Sequence, residues 1–206
     1  MLTNVCRCRY HGGSARAAAT INLPLDVLLM AVDALQILNH IAVLSLPTLH
    51  AYLTSNARRT EFLHLIQFWL KYRTNWYATD TDELVRKVHN NLLHELLLLV
   101  GAAALEPEGL GRAVLRFGQL PVILQMLAEL PFEYFMRHDL AEILFPTLIA
   151  ACYHDEGNRL ILQEEMSLDY LIRFIRSNLE SSPLSMLTLS LWLSHARMLL
   201  NPFPQQ

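Results

Sequence analysis

Glycine is scarce in this chain, at 7 residues in 206, and its 9 prolines are thinly spread. Sheets and barrels need such residues at many tight turns, so their shortage argues against an all-β fold. Cysteine is scarcer still. Cys6, Cys8 and Cys152 cannot build a disulfide framework, Cys6 and Cys8 being too close for an easy bridge, and a reducing compartment is the expected setting. Charge is also short, at 17 % of residues against about 25 % in ordinary domains. With a formal charge of −3 and basic residues scattered singly, nothing pulls the chain toward DNA, RNA or anionic lipid. Long apolar runs are missing as well. The charge-free stretch between Asp33 and Arg58 is interrupted by Gln36, Asn39, His40, Pro47 and His50, and the run from Ser181 to Ser194 is too short to span a bilayer. No transmembrane segment is expected.

Catalytic signatures are equally thin. There is no phosphate-cradling glycine loop, nucleophile elbow or dinucleotide fingerprint. His89 and His94 are five residues apart and do not share a helix face, so they are expected to hydrogen-bond at a seam between helices. Asp155-Glu156 and Glu164-Glu165 are adjacent pairs that diverge on a helix, and solvated turns are expected for both. Cys6, Cys8 and His11 lack the spacing and the fourth ligand of a structural zinc site. The expectation is a chain with no cofactor and no metal, and an enzyme is the least favoured class.

What the sequence does contain is apolar residues, 53 % of the total, arranged in one pattern written twice. An apolar helix rich in alanine (Leu96 to Leu105, with Ala102, Ala103 and Ala104) is followed by the polar turn Glu106-Pro107-Glu108-Gly109. Arg112-Ala113-Val114-Leu115 comes next, and then Leu120-Pro121 through Leu127. The second copy runs from Leu144 to Tyr153 with Ala150 and Ala151, turns at His154-Asp155-Glu156-Gly157, and continues through Leu160 and Leu168 to Ile175. Arg112 pairs with Arg159 and Leu124 with Ile172, an offset of about 47 residues, which is the period of armadillo and HEAT units. The expected fold is all-α, a short armadillo/HEAT-like helical repeat (α-solenoid), in which each unit covers its apolar face with its neighbour. Within the first copy, Gly118 is expected to break one helix and Pro121 to open the next in its first turn.

Upstream, apolar spacing predicts a helix over 25–46, with Leu28, Val32, Leu35, Leu38 and Val43 among its apolar positions, stopped or kinked at Pro47, and a short helix over 48–53. A helix from Thr60 should bury Phe62, Leu65, Ile66, Trp69 and Leu70. Asp80-Thr81-Asp82-Glu83 should start another, with Leu84, Val88 and Leu92 on one face, reaching Leu105 with a bend at Gly101. Pro146 is expected to divide 140–153 into two helices, and a last helix is expected over 183–200. Residues 1–21, with Arg7, Arg9, Arg16 and no acid, share the acid-free, arginine-rich composition of transit peptides but lack the apolar core of a secretory signal. They read as a disordered leader before a helical-repeat domain at 22–201 and a tail at 202–206. The candidate partner-binding residues are Tyr72, Arg73, Trp76 and Tyr77, because aromatic and arginine side chains dominate protein hot spots.

Several strings carry a family resemblance. "LLHE" (92–95), "LPFEYF" (130–135), "LFPTLIAACY" (144–153), "NRLILQEEMS" (158–167) and "NPFPQQ" (201–206) resemble the carboxy-terminal region of the S-phase cyclin A-associated protein family of the endoplasmic reticulum. Agreement is dense from His94 to Ser167, weaker over 168–200, and absent over Met1 to Ala19. Members of that family are long chains whose charged coiled middle and zinc-finger motif have no counterpart here. The resemblance implies a non-enzymatic helical scaffold, cytoplasmic and associated with the endoplasmic reticulum. The partners it implies are the cyclin A–kinase complex, or ribosome-associated factors and a deadenylase complex in decay of tubulin messages. It carries no residue-level site. Arg197-Met198-Leu199-Leu200 does fit the loose Arg-x-Leu-apolar form of a cyclin-docking peptide. The rival expectation is a purely structural segment of a larger helical array.

Overall fold

The structure, a computed structural model, describes residues 23–76, 83–116, 118 and 120–181. Over these residues it is all helix and turn. Ten helices follow in order: α1 (Leu25–Leu44), α2 (Leu46–Thr54), α3 (Asn56–Trp76), α4 (Glu83–Ala104), α5 (Leu110–Val114), α6 (Ile123–Ala128), α7 (Glu133–Met136), α8 (His138–Cys152), α9 (Glu156–Glu165) and α10 (Asp169–Ser181). The leader 1–21, the helix expected at 183–200, the tail 202–206, Cys6, Cys8, His11 and Arg197 lie outside the described residues.

α4 is the hub. Its second half, from Leu92, is apolar on nearly every side, and Leu92, Leu93, Leu96, Leu97, Leu99 and Val100 are all buried. Such a helix needs neighbours on more than one side. α1 and α8 flank it, and α10 packs on α8; a second row, α3, α6 and α9, lies alongside. Small Ala102, Ala103 and Ala104 on α4, and Ala150 and Ala151 on α8, are buried where the rows meet, as expected for positions that let helices approach closely. α4 runs through Gly101 as one helix.

Most predicted elements are present, with differences that have physical reasons. Leu65, expected in a buried stripe, is exposed, as are Val43 and Leu84 on the apolar faces of α1 and α4. Helical spacing sets which residues share a face, whereas burial also needs a neighbour at that height. Pro47 opens α2 as its second residue, where its missing N–H costs nothing. Pro146 does not divide α8: the helix is continuous from His138 to Cys152, and Pro146 is buried inside it. A proline there forfeits the hydrogen bond to the carbonyl of Glu142, but α8 is held from both sides. The neighbouring Thr147 hydroxyl reaches the carbonyls of Leu97 on α4 (2.9 Å) and of Ile143 (3.2 Å). Pro121 does not open α6. Its peptide bond to Leu120 is cis, and the helix begins at Ile123, where Gln125 folds back to accept a hydrogen bond from the N–H of Val122 (3.0 Å).

The internal repeat also needs correction in register. Leu171, not Ile172, is the buried counterpart of Leu124. Arg112 and Arg159 occupy matching positions but do different work. Arg112 is buried against the end of α4, while Arg159 pairs with Glu156 one turn away on α9.

α1 is the one described helix long and apolar enough, by length and composition, to cross a membrane. It carries Asp26 and Asp33, and it is tied to α4 by more than apolar contact. Gln36 Nε2 donates to Glu95 Oε1 (3.2 Å), and Asn39 Nδ2 donates to Glu95 Oε2 (2.7 Å) and to its carbonyl (2.9 Å).

Candidate interaction surfaces and the polar seam

Of the four residues read as a binding patch, Tyr72 is in the core. It is 6 % exposed, its ring is edge-on to Trp69 at 5.7 Å and 5.6 Å from His89, and its hydroxyl accepts a hydrogen bond from the Leu23 amide at 3.2 Å. Tyrosine suits this position because a buried ring still presents one polar tip. Arg73 and Trp76 are on the last turn of α3 with side chains outside the described residues, and Tyr77 lies outside them altogether. Among the described residues next to Tyr72, Phe68 reaches solvent, 42 % exposed, stacked on Tyr72 and edge-on to Trp69. Beside it on α3, Glu61, His64, Leu65 and Lys71 are exposed. Leu65 and Phe68 follow Glu61 at helical spacing, so the periodicity that nominated the core also contained this outer face.

Sequence reading missed the polar seam. The end of α4 is buried, so its last carbonyls need donors. His50 on α2 donates from Nε2 to the carbonyl of Ala102 (2.8 Å), and Arg112 donates from Nη1 to those of Ala104 and Glu106 (2.9 Å each). A cation there also suits the negative end of the helix dipole. Glu106, the first residue of the polar turn, is 5 % exposed; its carboxylate accepts from the amides of Glu108 (2.8 Å) and Leu110 (2.7 Å), which folds the turn into α5. Gly109, at φ +80°, is the left-handed residue that this turn requires.

The second hairpin meets the same requirement differently. Asn158 is wholly buried; its Nδ2 donates to the carbonyl of Ala151 at the end of α8 (2.7 Å) and to that of Arg112 in the preceding hairpin (3.0 Å). Asp155 caps α9 by accepting from the Asn158 amide (3.0 Å) and forms an ion pair with Arg116. Its side chain is 11 % exposed, so it is no solvated turn residue. A single side chain thus joins two hairpins through two backbone carbonyls. The only signal for it in sequence is an asparagine three residues past an aspartate, which reads as a cap and not as a bridge.

His89 and His94, expected at a seam between helices, are on α4. His89 is buried against Tyr72, and the His94 ring lies edge-on to Tyr134 at 6.0 Å. Glu165 accepts from Gln125 Nε2 across the gap between α6 and α9 (2.9 Å). Among the described residues, no group of three or more His, Cys, Asp and Glu side chains is placed to hold a metal ion. A cavity of about 10 Å³ lies between α2, α3, α4 and α5, lined by His50, Leu53, Phe62, Ala103, Glu106 and Gly111. That is room for one water, far below the hundreds of Å³ typical of a ligand pocket.

Cys152, at the end of α8, is a free buried thiol. Burial, reinforced by the negative charge of Asp155 and only partly offset by Arg159, pushes it up from 9.0 to about 12. The neutral thiol is therefore favoured by folding. Stability from this group is fully present below pH 9 and is lost as pH rises through the window from 9 to about 12, because the unfolded chain releases its proton first. At pH 8.5 the native protein is expected to react with iodoacetamide at least about 100-fold more slowly than the urea-unfolded chain. Mass-spectrometric counting of labels at Cys152 tests this, and comparable rates in the two states would refute the buried-thiol description.

No protein-family model matches the chain. Over 171 residues it is similar, at 29 % identity, to the human S phase cyclin A-associated protein in the endoplasmic reticulum. The matched stretch covers 81 % of this chain and 11 % of that protein, so the chain spans about a tenth of the length of its relative.

Proposed function

We propose that this chain is a non-enzymatic helical-repeat scaffold that binds protein partners, with a cyclin A–kinase complex as the first partner to test. The observation that carries the scaffold half is the pair of hairpins α4–α5 and α8–α9. Their inner helices lie side by side, their alanine-rich ends are buried at matching positions, and Asn158 joins one to the other. A unit that leaves its apolar face to be covered by the next is the construction of armadillo and HEAT arrays, whose extended surfaces serve protein binding. The partner half rests on the relative, whose name records association with cyclin A and a place in the endoplasmic reticulum. Recruitment of ribosome-associated factors or a deadenylase is the further adaptor reading of the same scaffold.

The test uses the full 206-residue chain, immobilised, with purified cyclin A–kinase complex passed over it. Saturable binding at micromolar concentration or tighter is the expected result. Absence of binding at about 50 µM would remove the cyclin reading. Capture of ribosomal and deadenylase subunits from cytosol in its place would then support the adaptor reading.

A further inference from the structure

α1 carries a second apolar stripe that is largely open to solvent. Val27, Met30, Ala34, Ile37, Ile41 and Leu44 follow one another at alternating spacings of three and four, the repeat that keeps a seam facing a partner helix. Leu28, Val32 and Leu35, buried on the opposite side, face α4. Along the stripe Met30 is 70 % exposed, Ile37 60 % and Leu44 85 %, Ala34 is exposed, and only Ile41 is half-buried. An apolar line about 26 Å long on one face of a helix marks a contact.

We propose that this stripe is the interface of a symmetric dimer, in which α1 packs antiparallel against α1 of a second copy. Two features of the stripe make it complementary to itself. Size is the first. Turned end for end, Val27 meets the partner's Leu44, Met30 meets the partner's Ile41, and Ala34 meets the partner's Ile37, so the smallest residue is opposite a large one. Polar pairing is the second. Asp26, Asp33 and His40 line one flank, all exposed, and the same end-for-end register brings Asp33 beside the partner's His40 twice, once in each copy. On the other flank the half-buried Ala31 and Leu38 turn toward the core of their own chain. A bilayer surface fits less well, since Asp26 and Asp33 border the stripe where anionic headgroups would lie.

Sedimentation equilibrium of the full chain tests the proposal. The expected mass is twice the 23.6 kDa monomer at low-micromolar concentration. Ile37→Glu, which places a carboxylate in the centre of the seam, is expected to sediment as a monomer with its helical circular dichroism unchanged. Asp33→Lys is expected to weaken the dimer by about tenfold, and adding His40→Glu in the same chain to recover most of that loss. A wild-type chain that is monomeric at about 100 µM, or an Ile37→Glu variant that remains dimeric, would overturn the proposal. A dimer that Asp33→Lys weakens and His40→Glu fails to rescue would overturn the antiparallel register.

Discussion

Replacing Asn158 with leucine is expected to lower the free energy of unfolding by about 3 kcal/mol, read as a lower urea midpoint with an unchanged slope. Leucine keeps the volume and removes the amide, so the loss reports the polar contacts. Those contacts are the Nδ2 bonds to the carbonyls of Ala151 and Arg112, in a position that is 0 % exposed. A buried carbonyl left without its donor costs about 1–3 kcal/mol; Ala151 loses the donor at the end of α8, while the carbonyl of Arg112 keeps the Leu115 amide (3.1 Å) and loses the bond that ties the two hairpins together. The capping bond from the Asn158 amide to Asp155 is made by the backbone and survives the change. A loss below about 1 kcal/mol would mean that the bridge contributes little and that apolar packing alone joins the hairpins.

Gly111→Ala is expected to cost a similar amount, about 3 kcal/mol, for the opposite reason: an atom is added where there is no room. A Cβ at this position would lie 1.8 Å from the carbonyl oxygen of Ala103 and 2.7 Å from its carbon. Both are backbone atoms of α4, so relief requires α5 to move away from the hub and carry the Arg112 guanidinium with it. Gly157→Ala is the matched comparison. The nearest atom to its Cβ would be a side-chain carbon of Arg116 at 3.3 Å, and an alanine in the first turn of α9 is expected to be within about 0.5 kcal/mol of neutral. Thermal unfolding of the two variants beside the parent checks both, and equal effects would remove the close-approach account of Gly111.

These two positions show where sequence reading stops. Gly109, Gly111 and Gly118 look alike in the sequence around the first helix junction. Which glycine permits a left-handed turn and which permits close approach depends on α4, several residues away in sequence and in direct contact in space. The exchange of roles between Arg112 and Asn158 has the same origin. The repeat aligns Arg112 with Arg159, but what each hairpin requires is a donor at a carbonyl, and a neighbouring residue can supply it. Tyr72 was legible as part of an aromatic and basic cluster, whereas its burial follows from Leu23 and His89, which come from two other parts of the chain.

The amino-acid sequence by itself determined the helical class, the main helices and the duplicated hairpin, because all three follow from local causes. Apolar residues at a helical period, few glycines, and prolines and acids near helix starts act within a turn or two of where they stand. Tertiary structure alone decided which faces are covered. It put Glu106, Asp155 and Tyr72 inside, carried α8 through Pro146, and left the Met30, Ile37 and Leu44 stripe of α1 open. The physical reason is that burial and hydrogen-bond pairing belong to two surfaces at once, and a linear pattern specifies only one of them.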